Sequence, residues 1–312
     1  MHLFIAERFV VAVTSILYLI DITLIIHKGV QVDFIGYGFS MMTGVALLLM
    51  GQLYRGLKRS PNLATALISA GLFILFSISA SGFNYMFLPV QYATIDHALM
   101  QVDAWVGYEW SSFVSWAAMY PLIGKALFIV YATSLPQLLA IVITLGFTGK
   151  SRKLHHFLVT GILGALASIA VWIFFPTHGA KAYQDLPVWV MQAIPLAVDP
   201  AYGQDLIRLG REGVSYLSPS NVLGLIGFPS FHIFMAAMSV WFVPRYTFAI
   251  VAAWGLNLLM VPATLVQGGH HLSDVFGGLI LFAIICPLSS KLLDWMARVE
   301  EGQATPAPNP AV

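Results

Sequence analysis

Apolar runs alternate with short polar connections along almost the entire chain. They lie near residues 9–27, 34–54, 64–87, 122–146, 155–175, 224–243, 246–266 and 274–292, each about 17 to 25 residues long. A helix of that length crosses a hydrocarbon core of ~30 Å, and it closes its own backbone hydrogen bonds where no water is available. The pattern therefore predicts an all-α polytopic transmembrane bundle of about eight spans. Only Pro244 and Arg245 separate the sixth run from the seventh, which implies a tight helical hairpin. The first run follows Glu7 and Arg8, exceeds a signal-peptide core and lacks a small-residue cleavage site, so it reads as a retained span.

Composition supports that reading and narrows the function classes. Hydrophobic residues make up 59% of the 312 and charged residues only 9%, against roughly a quarter charged in soluble domains. No basic cluster suggests nucleic acid. The single cysteine, Cys286, lies in a late apolar run, so no disulfide within the chain and no cysteine metal site is expected.

Basic residues orient the bundle. With the N-terminus in the cytoplasm, ten of the fifteen Lys and Arg fall inside and five outside, the bias resting on the short loops R-G-L-K-R-S and G-K-S-R-K. Two longer segments then face outward. In 88–121, Asp96, Asp103 and Glu109 alternate with apolar positions, as in an amphipathic helix lying in the interface. The second, 176–223, is rich in Pro, Gly and Tyr, and the tail after Glu301 reads as disordered.

That topology sorts the nine histidines. His2, His27, His155 and His156 fall at span ends and read as interfacial, and His97 reads as surface. His178, His232, His270 and His271 all fall at the outer membrane surface. In G-G-H-H-L-S-D, Asp274 is one helical turn beyond His270, so the two share a face. A carboxylate there holds the imidazole in one tautomer and leaves the other ring nitrogen free. Asp21, inside the first span, is either a functional group or a helix-to-helix pairing. Trp172, Trp189, Trp241 and Trp254 at helix ends read as interface anchors, and Tyr183 and Tyr216 are not distinguished from that role.

Taken together, P-S-x-H (Pro229, Ser230, His232) and G-x-H-x-x-x-D-V-x-G (Gly268, His270, Asp274, Gly278) resemble the second and third motifs of the type 2 phosphatidic acid phosphatase superfamily of integral membrane enzymes. The branch most resembled is that of the inositol phosphorylceramide synthases and their bacterial relatives. They also carry an F-P-T segment, here Phe175, Pro176 and Thr177. The resemblance implies a six-helix core (61–295) behind two accessory helices (1–60), with 296–312 as a cytoplasmic tail. It also implies that His270 attacks phosphorus, Asp274 orients it, and His232 protonates the leaving alkoxide. Water or an alcohol then releases the phosphoryl group from the histidine, with no metal or cofactor. Ser230, Gly268 and Gly269 are placed to offer hydrogen-bond donors to phosphate.

Three positions depart from the family pattern. The first motif's Lys and Arg-Pro pair is absent, leaving Lys181, Arg208 and Arg211 as the basic candidates for phosphate. Phe231 stands where a glycine is usual, as in the resembled branch. Thr264 stands where an arginine is expected. His178 and His271 match no catalytic position and are assigned to headgroup contact. The leading reading is a lipid phosphatase or phosphotransferase acting on a phospholipid or polyprenyl phosphate or diphosphate, sited in a bacterial inner membrane with its active site facing outward. One alternative is an inositol-phosphate-type headgroup transferase. Readings from other classes are a transporter, to which buried Asp21 and the outer histidines would lend polar groups, and a catalytically inactive scaffold.

Overall fold

The structure is a computed structural model that describes residues 3–304. Six of the helices among those residues are long and apolar enough to cross a membrane: α1 (Ile5–Lys28), α2 (Phe34–Gly56), α3 (Pro61–Tyr85), α8 (Ser151–Phe174), α12 (Thr247–Gly268) and α13 (Leu272–Ala304). Exposed apolar side chains such as Leu19, Ile35 and Phe248 turn outward from them, as lipid-facing residues do.

Two of the eight apolar runs are not single long helices. The 122–146 run is carried by two helices, α6 (Pro121–Ala132) and α7 (Ser134–Phe147). Pro136 has no N–H for the carbonyl of Ala132, so the helix breaks at Thr133, one turn ahead of it. The 224–243 run is helical only as α11 (Phe231–Phe242). Its first seven residues contain Gly224, Gly227 and Pro229 and are drawn across the histidine end of the bundle, where the Phe228 amide donates to Thr177 Oγ1 at 2.8 Å. At the other end of the chain, α13 continues to Ala304, past the expected end of the core at 295, and residues 305–312 lie outside the described residues.

Segment 88–121 forms α4 (Asp96–Trp105) and α5 (Trp110–Ala118), and the chain turns by 114° between α5 and α6. Its amphipathicity is inverted relative to expectation. Asp96 and Asp103 point inward and are buried, while Val102, Trp105 and Val106 are exposed. The acids have partners inside, described below; the apolar side chains have lipid. Loop 176–223 is also structured, with a 3-10 turn (Ala180–Ala182), α9 (Val188–Ala193) and α10 (Pro200–Glu212). It ends in β2 (Tyr216–Leu217), which pairs in parallel with β1 (Gln31–Val32), Gln31 opposite Tyr216, and so ties the α1–α2 turn to the long loop.

Polar contacts fasten the first helices to each other and to the rest. Glu7 of α1 is fully buried and accepts from both guanidinium nitrogens of Arg55 of α2 at 2.6 and 2.8 Å. His155 of α8, expected at an interface, is buried with Nε2 3.6 Å from the same carboxylate. Asp21 accepts from Ser79 Oγ at 3.2 Å, a pairing of α1 with α3. Trp172 is likewise not an exposed anchor: it is buried, and its indole N–H donates to the Thr177 carbonyl at 3.2 Å. Trp189, Trp241 and Trp254 are exposed.

Candidate active site

The site forms where α12 ends and α13 begins. Gly269 takes a left-handed conformation (φ +62°) that terminates α12, and the three residues Gly269, His270 and His271 turn the chain into α13. A side chain at Gly268 would meet His270 Cδ2 at 2.6 Å and Nε2 at 3.3 Å, and one at Gly269 would meet Lys181 Cδ at 2.5 Å. The glycine pair therefore makes room for these two functional groups.

His270 Nδ1 lies 2.9 Å from Asp274 Oδ2, both residues buried, as the four-residue spacing anticipates. Asp274 also accepts the His271 amide at 3.0 Å. With Nδ1–H donated to a carboxylate, Nε2 of His270 keeps its lone pair. Burial holds the His270 pKa below the usual histidine value despite Asp274, which keeps the ring neutral and nucleophilic at pH 7. The ring of His232, in the first turn of α11, has its centroid 6.2 Å from that of His270 and stacks on Tyr131 at 4.5 Å. Ser230 N donates to the Asp274 carbonyl at 3.0 Å and locks the two motifs together.

Lys181 is buried within this cluster. Its Nζ donates to the Gly268 carbonyl at 3.1 Å and lies 5.5 Å from the Tyr202 ring centroid. Burial lowers its pKa to about 8, with Asp274 and Asp96 opposing the shift. Of the three basic candidates, Lys181 is the one brought to the histidines. Arg208 is exposed and pairs with Asp205 at 2.8 Å. Arg211 is exposed on α10 and acts on His178 and Tyr183 only through space.

Gly268 and Gly269, expected to offer amide donors to phosphate, lie at a helix C-terminus and not at a helix N-terminus. They close the C-terminal end of α12, and their carbonyls face Lys181. The open helix N-terminus is that of α11, where Ser230 occupies the cap position without a capping bond and its buried Oγ has no partner among the described residues. Thr264, in the place of the family arginine, is buried with an unpartnered Oγ1 and supplies no charge.

His178 and His271 are not headgroup contacts. Both are buried, and both meet Asp96. Asp96 accepts the amides of His178 and Gly179 at 2.9 to 3.1 Å and faces His271 Nε2 at 3.1 Å. Asp103 accepts the amides of Leu272 and Ser273 at 2.8 and 3.0 Å, capping α13, and lies 3.7 Å from His271 Nδ1. Burial disfavours a charge on His271, yet the two carboxylates prevail and raise its pKa to about 9. Bonds from His271, Ser273 and the two amides likewise outweigh burial and lower the Asp103 pKa. Through His271, α4 thus holds the Lys181 loop against the His270 turn. Sequence reading missed this trio because His271 is 175 and 168 positions from its two acids along the chain; only the regular spacing of the acids hinted at it.

No curated protein and no solved structure matches the chain at a significant level. A family model does. The model described as the PAP2 superfamily, whose members are phosphatases or phosphotransferases, matches residues 97–288, which span α4 through most of α13 and include both histidine motifs. That match extends over more than half of the sequence, and the chain belongs to the PAP2 superfamily.

Proposed function

We propose that the protein is an integral membrane phosphatase or phosphotransferase that cleaves a phosphate ester of a membrane lipid through a phosphohistidine on His270. One observation carries this reading: the 2.9 Å contact of His270 Nδ1 with Asp274, which leaves Nε2 as the free nitrogen in a buried cluster with His232 and Lys181. In the first half-reaction His270 Nε2 bonds to phosphorus as the ester P–O bond breaks, and His232, which takes up a proton as the phosphate enters beside it, gives that proton to the departing alkoxide. Lys181, the Ser230 hydroxyl and the open amides of α11 balance charge on the phosphoryl oxygens. In the second half-reaction, water or an alcohol attacks phosphorus. His232 recovers a proton from that nucleophile, and the P–N bond breaks to restore His270.

Both acceptors use the same residues. The F-P-T segment and Phe231 favour an alcohol, as in the headgroup transferases of the inositol phosphorylceramide synthase branch. The bias of Lys and Arg toward the loops opposite the histidines supports an extracytoplasmic site, in a bacterium facing the periplasm or exterior. The test is turnover by the purified protein on phospholipids and polyprenyl diphosphates with chelator and added polyols, products read by mass spectrometry. Chelator-resistant turnover that disappears in His270→Ala supports the reading, and a new headgroup-bearing lipid selects transfer over hydrolysis. Turnover indifferent to His270→Ala overturns it.

A further inference from the structure

The end of the bundle opposite the histidines holds a second group of cations. There α8 begins, α11 ends and α12 begins, and two cavities of about 490 and 520 Å³ open side by side with Lys150 and Lys153 in the walls of both. The first cavity adds Arg152 and the second adds Arg245. Against these four cations the cavity walls offer no carboxylate; of the nearby acids, Asp294 of α13 is held by Arg152 at 2.5 Å, and Glu7 of α1, beside His155 of α8, is held by Arg55. Lys153 Nζ donates to the Val243 carbonyl at 2.8 Å. Lys150 and Arg245 are exposed and have no partner among the described residues.

Backbone charge has the same sign. The 24-residue α8 and the 22-residue α12 both start here with no side-chain cap and no acid in their first turns, so two positive helix ends add to the unneutralised side chains. Trp241 and Tyr246 stand on the rim, 61% and 62% exposed. Such aromatic side chains sit at the level of lipid headgroups, which favours a lipid over a soluble anion.

We infer that this basic hollow between α8, α11 and α12 is a binding site for the phosphate headgroup of an anionic phospholipid, separate from the histidine site and on the opposite face of the membrane. A basic pocket between membrane helices is suited to such headgroups. The bound phosphate would bridge Lys150 and Arg245, and so join the start of α8 to the α11–α12 turn.

The test uses the full chain carrying His270→Ala, which silences turnover, in phosphatidylcholine nanodiscs doped with photoactivatable phosphatidylglycerol. Crosslinks should map to peptides covering 145–156 and 241–248. They should fall roughly thirtyfold in the K150Q/R245Q variant, each cation near an anionic surface contributing about a factor of five. Neither side chain has a partner among the described residues, so the variant should melt with its parent in pure phosphatidylcholine. Crosslinks unchanged by the substitutions, or equally strong with a phosphatidylcholine probe, overturn the site. Displacement by millimolar inorganic phosphate overturns the lipid assignment in favour of free phosphate. Neither result depends on whether His270 is a nucleophile.

Discussion

In the mechanism proposed above, His232 as the acid and His270 as the nucleophile differ in how they depend on the leaving group. An acid is needed in proportion to the basicity of the departing oxygen, whereas a nucleophile is needed always. His232→Asn should therefore slow turnover of an alkyl phosphate by about 10² to 10⁴-fold and slow an activated aryl phosphate far less, while His270→Ala abolishes both. Steady-state rates on the two substrates check this. Lys181 introduces a pH limit of a different kind. Its ammonium is charged below about pH 8 and neutral above, so kcat/KM should fall as pH rises through that value. Lys181→Met should lose about tenfold to hundredfold in kcat/KM at pH 7, the scale of one charge-assisted hydrogen bond, and should lack the alkaline limb. A pH profile of both proteins decides. The His270–Asp274 pair could be read from sequence because both residues lie within one helical turn. Lys181 could be named as a candidate but not separated from Arg208 and Arg211, since its selection rests on the fold of the loop between α8 and α11.

At the level of elements, α4 acts as a brace. Its Asp103 supplies the cap that α13 lacks locally, and His271 carries a charge between two acids. The histidine is more basic folded than unfolded, so its contribution to stability is complete below the unfolded value of ~6.5 and disappears as pH rises through about 9. Melting temperature should decline across that window. His271→Gln should remove this part of the decline and, by leaving two buried carboxylates without their cation, cost about 3 to 5 kcal/mol near neutral pH; thermal unfolding in detergent measures both. Element prediction succeeded where length and hydropathy suffice, as in α1, α2, α3 and α8. It failed for α6, α7 and α11 because hydropathy does not register where proline and glycine interrupt the hydrogen-bond ladder. The inverted face of α4 was missed because alternation reveals two faces without saying which one meets the protein.

Across the whole molecule, buried ionic contacts join parts that composition alone would leave separable. Glu7 and Arg55 bind the first two helices to each other, with His155 of α8 alongside. Arg55→Met should strand the Glu7 carboxylate and destabilise the protein by about 3 to 5 kcal/mol, read as a lower melting temperature with the histidine site intact in the surviving folded fraction. The short α11 has a consequence for depth. Its 12 residues rise only ~18 Å, against a hydrocarbon slab of ~30 Å. The 22 residues of α12 rise ~33 Å from the basic end to the turn that holds His270, and His232 lies beside that turn, its ring centroid 6.2 Å from that of His270. The helix that carries His232 is therefore a short member of the bundle, held at the histidine end by the Ser230–Asp274 bond and joined to the basic end only through the 243–246 link.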